Sequence, residues 1–463
     1  MKLWIAPFNK VFVKDSLIDE LDFLDSLLSY QVDTTHMKLK YNWDGVVHLF
    51  NRTKLFFSVG LLARVTNELT ARQVQFTIVD ARTMTPEHNI EVGESVMDLR
   101  EYQTDSAVKA LEYVNSILQV AVGGGKTFIG CKFIEMTKKR TLIVVPTVSL
   151  IEQWKSSLIK CFPKYAPDLI GIYGAGDKDV KPITIATYQS LSYDPKLLKA
   201  YENYFKTVIY DECHSVSAKT WKQIQNMFHT YYSLGLSATA MSRGEGQNLL
   251  VESVCGPMIT NVSASELTRA GYLSKVNIWL CEGVQEKTYR YHTYDSIIQE
   301  AIVDNTLRNK QIVTDAMLPK FENRVKLILV ERTQQGVNLQ TLFKELFHVD
   351  VLFLTGKNKR AERDDVLRRM RLAELKLVIA TRIFEQGIDV PNLSVLLLAS
   401  PTKSAVKTIQ RVGRITRLCD VEQMFVFDYV DNVKYLIEHA QERFDLYRQE
   451  EEWHINNRAR FLR

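Results

Sequence analysis

Between residues 100 and 430 the chain repeats one arrangement: a short apolar run, a turn, then a longer stretch with apolar residues at helical spacing. The runs at 117–120, 141–145, 183–187, 207–210 and 232–236, and again at 326–330, 351–354, 377–380, 395–399 and 424–427, are rich in Val, Ile and Leu and do not alternate with polar residues. Uninterrupted runs of this length suit strands covered on both faces. The stretches between them, 150–161 and 360–372 among them, have the length and spacing of helices. Strand alternating with helix predicts an α/β fold of parallel sheets flanked by helices.

One large sheet would accommodate these strands, but a break near 262–275 suits the pattern better. There Ser263-Ala-Ser-Glu266 has the spacing of a capping box opening a short helix, which Gly271 would close. The expected organisation is an α/β lobe over 93–272, a second over 273–440, a helical tail over 441–463, and a small α+β unit over 1–92, where the buried-strand pattern is missing. No short repeat of fixed period is visible. The length of 463 residues agrees with about three domains at roughly 150 residues each.

Composition excludes classes without naming a function. With 46% hydrophobic and 24% charged residues the chain is globular rather than disordered. Basic residues number 59 and acidic ones 54, and a net charge of +5 is too mild for a histone-like coat, though a local groove could be basic. The six cysteines (131, 161, 213, 255, 281 and 419) contain no Cys-x-x-Cys pair, which suits free thiols in a reducing compartment. The first ten residues lack the long apolar core of a signal peptide, and no stretch has the ~18 apolar residues of a membrane span. A soluble, intracellular protein without membrane contact is expected.

The chemistry begins at Ala121-Val-Gly-Gly-Gly-Lys-Thr127, between an apolar run and a helical pattern. Gly123, Gly124 and Gly125 would let backbone N–H groups turn toward phosphate oxygens. Lys126 would reach the β- and γ-phosphates of ATP, and Thr127 would offer a hydroxyl to Mg2+. A strict P-loop has Gly where Val120 stands. Val208-Ile-Tyr-Asp-Glu-Cys-His214 then ends a buried strand in two adjacent carboxylates. The carboxyl ends of strands are where ligands sit in open α/β sheets. Asp211 would hold Mg2+, and Glu212 would orient and deprotonate the attacking water.

The order of the remaining motifs resembles superfamily 2 helicases. Asp211-Glu-Cys-His214 is similar to a DEAD/DEAH-type box, and Ser237-Ala-Thr239 to the coupling motif that follows it. Gln410-Arg-Val-Gly-Arg-Ile-Thr-Arg417 matches that superfamily's Gln-Arg-x-Gly-Arg-x-x-Arg pattern, and 381–391 resembles the motif before it. Leu99-Arg-Glu-Tyr-Gln103 resembles the adenine-recognition element. The resemblance implies two tandem RecA-like lobes, with Gln103 pairing with adenine and Arg100 stacking on it. On the same resemblance Arg414 and Arg417 would act as arginine fingers, Gln410 would position the water, and Asp389 would face ribose or a finger. His214, Ser237 and Thr239 would couple hydrolysis to motion. It also implies that Thr147, Thr187, Gln189, Thr355, Gly356 and Thr381 grip a nucleic-acid backbone through loop hydroxyls and amides.

Within the superfamily, the spelling of these motifs resembles the XPB-type and phage UvsW-type DNA translocases. Residues 41–50 and 57–62 resemble the accessory domain of the UvsW type. Residues 36–72 carry Lys/Arg at 38, 40, 52, 54, 64 and 72 against Asp44 and Glu68, which suits contact with a duplex backbone. Trp43, Phe50, Phe56 and Phe57 could stack on bases, although core packing suits most of them better. The expected activity is an ATP-dependent DNA helicase or translocase that remodels branched or forked DNA with single-strand segments. It would act as a monomer alongside replication or recombination proteins, a phage protein in a bacterial cytoplasm fitting the resemblance. The alternatives are an RNA helicase or RNA–DNA hybrid remodeller and a nucleic-acid-binding scaffold that no longer hydrolyses ATP; a metabolic P-loop kinase leaves 410–417 without a role.

Overall fold

Strands covered on both faces need near-continuous apolar runs, and those runs form the middles of two parallel sheets in a computed structural model of the chain. The structure describes residues 1–32, 45–193, 199–215, 218–239, 244–285, 293–381, 390–400, 408, 412–413, 423–459 and 462. The chain divides into two compact units, Met1–Val120 with Gly125–Asn261, and Ala121–Gly124 with Val262–Arg463.

The larger sheet of the first unit has the spatial order Asp177–Lys178, Ile170–Gly174, Ile183–Thr187, Thr141–Val145, Thr207–Asp211, Tyr232–Ser237, Asn115–Val120, Met258–Val262. The pairings from Ile170–Gly174 through to Asn115–Val120 are parallel. Every residue of Thr141–Val145, Ile183–Thr187 and Thr207–Asp211 is buried. Because parallel strands all point one way, their carboxyl ends line one edge. The loop 121–125, Thr147, Thr187 and Asp211 therefore share that edge.

The first 92 residues are not the separate body that the sequence suggests. A four-stranded sheet, ordered Phe56–Ser58, Lys10–Lys14, Lys2–Ile5, Thr77–Asp80, lies in the first unit; its first three strands alternate buried with partly exposed positions, and Thr77–Asp80 is exposed throughout. Its buried face (Leu3, Ile5, Val11, Val13, Phe57) packs with Leu24, Val65 and Leu69, and Leu249 from helix Gly244–Cys255 joins this core. Arg64 forms a two-pronged pair with the buried Glu252, at 3.1 and 2.7 Å. The buried Asn9 amide donates to the Phe228 carbonyl at 2.8 Å. Gly60 has no room for a side chain, since a Cβ there would lie 2.3 Å from the Glu252 carbonyl oxygen. Apolar burial, an ion pair with one buried partner and close backbone approach thus fix this sheet to the large one.

The second unit holds a seven-stranded parallel sheet, ordered Leu352–Leu354, Leu377–Ala380, Val325–Leu329, Leu393–Leu398, Gln423–Val430, Lys275–Glu282, Trp453–Asn457. Residues 441–463, expected as a helical tail, continue helix Leu436–Tyr447 and then supply the edge strand Trp453–Asn457. That strand reads Trp-His-Ile-Asn-Asn, too polar to register as buried, because an edge position leaves it half solvated. The predicted capping box exists: Ser263 Oγ accepts from Glu266 N at 3.1 Å, and Ser263 N donates to Glu266 Oε2 at 2.7 Å. Its helix Ala264–Arg269 belongs to the second unit, so the division falls at 261/262 rather than 272/273. Gly271 follows it at φ +73°.

Cys131, Cys161, Cys213, Cys255 and Cys281 are buried and free; Cys419 lies outside the described residues. Among the described residues no helix is long and apolar enough to cross a membrane.

Candidate active site

Strand Asn115–Val120 enters the glycine loop, and helix Lys126–Thr137 leaves it. Gly123 and Gly125 have φ of +86° and +78°, which a side chain would resist. Gly125 is doubly constrained, because a Cβ there would lie 2.4 Å from Gln103 Nε2. Two motifs 22 residues apart in sequence therefore meet, with the Gln103 amide against the loop. Gln103 is 5% exposed, and its Oε1 accepts from Arg100 N at 3.0 Å, capping helix Glu101–Tyr113. The Tyr102 hydroxyl links the pair, accepting from Arg100 Nη1 at 3.3 Å and from Gln103 Nε2 at 3.4 Å.

Strand Thr207–Asp211 delivers the carboxylates. Asp211 is buried; its Oδ2 accepts from the Trp154 indole N–H at 2.8 Å, its Oδ1 accepts from Glu212 N at 3.0 Å, and its carbonyl accepts from the Tyr188 hydroxyl at 2.7 Å. Burial pushes the Asp211 carboxyl up to about 6, and the neighbouring Glu212 charge adds to the rise, against the pull of the Trp154 N–H and of Lys126. Glu212 has φ +48°, a left-handed conformation that costs a residue with a side chain roughly 1–2 kcal/mol. This turn swings its carboxylate off the strand. Glu212 Oε1 lies 3.9 Å from Lys126 Nζ, while Oε2 is buried without a hydrogen bond, with His214 Nδ1 3.4 Å away. His214 Nδ1 is engaged with Ser237 Oγ at 2.7 Å, and that oxygen accepts from Thr239 N at 3.0 Å. A hydrogen-bonded chain thus runs from the carboxylate motif to the end of the adjacent strand Tyr232–Ser237.

The donor set suits a divalent cation beside a nucleotide. A buried carboxylate with raised proton affinity, Asp211, and a half-buried one with an unbonded oxygen, Glu212, lie beside the Lys126 ammonium. Among the described residues no group of three or more metal-ligating side chains gathers. Mg2+ in phosphoryl transfer takes one or two carboxylates together with waters and substrate phosphates, so no larger protein cage is needed.

The expected strand-gripping residues lie at the carboxyl ends of their sheets, with partners inside their own loops. Thr147 precedes helix Val148–Cys161 and its hydroxyl meets Ser149 Oγ at 3.0 Å. Thr187 is buried, accepts from Ser190 N at 3.2 Å and so starts helix Tyr188–Tyr193, where Gln189 is exposed. In the second unit Thr355 N donates to Asn358 Oδ1 at 2.8 Å, Gly356 faces open space, and Thr381 N donates to Leu354 O at 3.0 Å. Asp389, Gln410, Arg414 and Arg417 lie outside the described residues, as does Trp43. Sequence reasoning missed Trp154 and Tyr188, which hold Asp211. Tyr188 stood inside a motif read for other reasons, and Trp154 carries no signal in a single chain.

The chain is similar to several known proteins. Residues 96–242 match the family model described as type III restriction enzyme, res subunit, and residues 309–419 match the helicase conserved C-terminal domain. The chain is 27% identical over 397 residues to a protein of Sulfurisphaera tokodaii named DNA 3'-5' translocase XPB2, covering 76% of this chain and 88% of that one. It is 22% identical to putative helicase 22 of a Sulfolobus islandicus filamentous virus, covering 92% and 78%. Of four further XPB- or Rad25-named relatives it spans only between 56% and 60%. Among solved structures, the Type ISP restriction-modification enzyme LlaBIII bound to DNA shares the fold with TM-score 0.59 and 15% identity, over 85% of this chain and 34% of that one. The crystal structure of T4 UvsW aligns over 98% and 99% at 19% identity, with TM-score 0.48. The glycine loop with its lysine, the Asp-Glu strand end facing it, and two family models in helicase order establish that this chain belongs to the superfamily 2 helicases and is similar to their XPB-type members.

Proposed function

We propose that the chain is an ATP-dependent DNA translocase and helicase, that it remodels branched DNA, and that it moves 3'-5' as its XPB-named relatives are described to do. The observation that carries the ATPase part is Glu212 Oε1 lying 3.9 Å from Lys126 Nζ at the carboxyl edge of a parallel sheet. Lys126 binds the β- and γ-phosphates, and Gln103 recognises the adenine beside the loop. Thr127 and Asp211 would hold Mg2+, which when bound neutralises charge on the phosphate oxygens. Glu212, strained toward the loop, orients the water and accepts its proton at the oxygen that lacks a hydrogen bond. The His214–Ser237–Thr239 chain passes the state of the site to the next strand. Gln410, Arg414 and Arg417 complete the site as water-positioning residue and fingers, with Asp389 near ribose. Thr147, Thr187, Gln189, Thr355, Gly356 and Thr381 contact the DNA backbone. We read residues 1–92 as an accessory unit anchored to the first lobe, and the protein as a monomer of phage type.

The test is ATP hydrolysis measured without DNA and with forks, Holliday junctions, tailed duplexes and RNA. Branched DNA should stimulate most, and Glu212→Gln should lower turnover by about 10²–10⁴-fold while ATP still binds. Absence of stimulation by any DNA overturns the reading, and preferential stimulation by RNA turns it into an RNA helicase.

A further inference from the structure

The basic segment 36–72 does not leave a clean cationic surface where it is described. Arg64 is paired with Glu252, Arg72 with Glu68, and Arg52 with Asp22 and Asp25. The N-terminal sheet has instead a second face, opposite its core, which meets the rest of the first unit at one end, where Ser58 Oγ donates to Gln225 Oε1 at 3.1 Å and the Phe8 ring lies 6.1 Å from that of His229. Alternation puts Lys2 and Trp4, then Lys10, Phe12 and Lys14, then Phe56 and Ser58, and Thr77 and Val79 on that face.

Register aligns them. Trp4 pairs with Phe12 and with Val79, and Phe12 pairs with Phe56, so a row of rings runs straight across the strands. Ring centroids lie 5.7 Å apart for Trp4 and Phe12 and 5.6 Å for Phe12 and Phe56, and Phe8 adds an edge contact to Phe12 at 6.0 Å. These rings stay out of the core cluster beneath them and are partly exposed. Lysines border the row on both sides. Lys14 Nζ lies 4.8 Å from the Trp4 ring, and Lys10 Nζ lies 4.6 Å from Phe56 and 5.6 Å from Phe8. No carboxylate occupies a position on this face of the four strands.

We infer that this outer face binds single-stranded DNA, with bases stacked on Trp4, Phe12 and Phe56 and phosphates held by Lys2, Lys10 and Lys14. Aromatic rings offer every base a stacking surface, and flanking ammonium groups follow a backbone without reading sequence. A duplex would present only phosphates, since its bases are already stacked, and would leave the rings unused. The exposed lysine–ring contacts are weak enough for bases to displace them. The choice of DNA rests on the motor reading above.

Binding of the full chain to labelled oligo(dT) and to a blunt duplex is measured by anisotropy across a salt series, without nucleotide. Phe12→Thr, which retains strand propensity, should weaken oligo(dT) binding about tenfold. The triple variant K2Q/K10Q/K14Q should reduce the slope of log affinity against log salt by about 2, at ~0.7 per phosphate contact. Thermal melting and DNA-free ATP hydrolysis should match the wild type, as should duplex binding. Unchanged oligo(dT) affinity in both variants overturns the inference, and so does an equal loss for duplex. Polyglutamate that binds as tightly and loses equally in Phe12→Thr overturns it too, by making the face a site for acidic protein. Because binding is read without ATP, failure here is separate from failure of the motor reading, which shows as wild-type hydrolysis indifferent to DNA.

Discussion

Both units bury carboxylates near the carboxyl ends of central strands, and they hold them in opposite ways. In the first unit Asp211 is bonded by neutral groups, the Trp154 indole N–H and the Glu212 amide, and its proton affinity is raised. In the second unit Asp431 is fully buried against Arg308, with both oxygens bonded at 2.7 and 3.0 Å, and Gln285 adds a third donor at 2.8 Å. Arg308 is fully spent too, donating to the Ala399 carbonyl at 2.6 Å. Asp428 is matched likewise by Arg443, at 2.8 Å on each oxygen, and by the Tyr447 hydroxyl. A buried acid neutralised by arginine is a rivet. One held by neutral donors keeps an unmet demand for positive charge, which a phosphate-bound cation can meet.

The largest effect that tests this contrast is expected at the rivet. Arg308→Met leaves Asp431 buried and uncompensated, and denaturant unfolding should show a loss of about 3–5 kcal/mol. The double variant R308M/D431L should recover most of it. A loss below about 1 kcal/mol would remove the distinction between the two units.

Asp211 should behave in the reverse sense. Its carboxyl is raised from 3.8 to about 6 by burial first and Glu212 second, so the folded state keeps a proton that the unfolded chain releases. Stability is therefore lost as pH rises from about 4 to about 6, by up to roughly 2–3 kcal/mol at 1.36 kcal/mol per unit. Melting curves of the wild type and of Asp211→Asn, taken without Mg2+ or nucleotide, isolate this fall. Asp211→Asn should lose this component and be more stable at pH 7, while losing ATP turnover, so the wild-type-minus-variant difference in stability should fall through the window. A difference that rises through it would contradict the assignment.

The smallest effect belongs to Trp154→Phe, which removes one donor from Asp211 and should cost about 1–2 kcal/mol. Since the indole N–H pulls the carboxyl down, its loss should move the midpoint of the same pH transition upward. A midpoint that stays put would show that Trp154 only fills space.

Much of the fold was legible because buried parallel strands announce themselves as apolar runs: 141–145, 183–187 and 207–210 each became a strand with every residue buried. Strands at other positions were not. Lys275–Glu282 alternates and Trp453–Asn457 is polar, and period-2 signals of that length are weak against a charged background. The N-terminal sheet hid for the same reason. Even the aromatic pair Phe56-Phe57 divides between the outer face and the core, which strand alternation decides once register is known. In the site, the residues proposed to touch phosphate were readable from local spacing. Trp154 and Tyr188, which come from other segments to hold Asp211, were not.

The sequence by itself determined the α/β class, the glycine loop, the strand that ends in Asp211 and Glu212, and the order of motifs that places the chain among superfamily 2 helicases. Those features are written in contiguous residues, where backbone geometry and side-chain chemistry act over short range. Only the tertiary structure decided that the first 92 residues join the first lobe, that Gln103 closes on Gly125, and that Asp211 is bonded by neutral groups whereas Asp431 is bonded by arginine. Burial and dielectric are set by residues far apart in the chain, and they decide whether an aspartate becomes a rivet or a site.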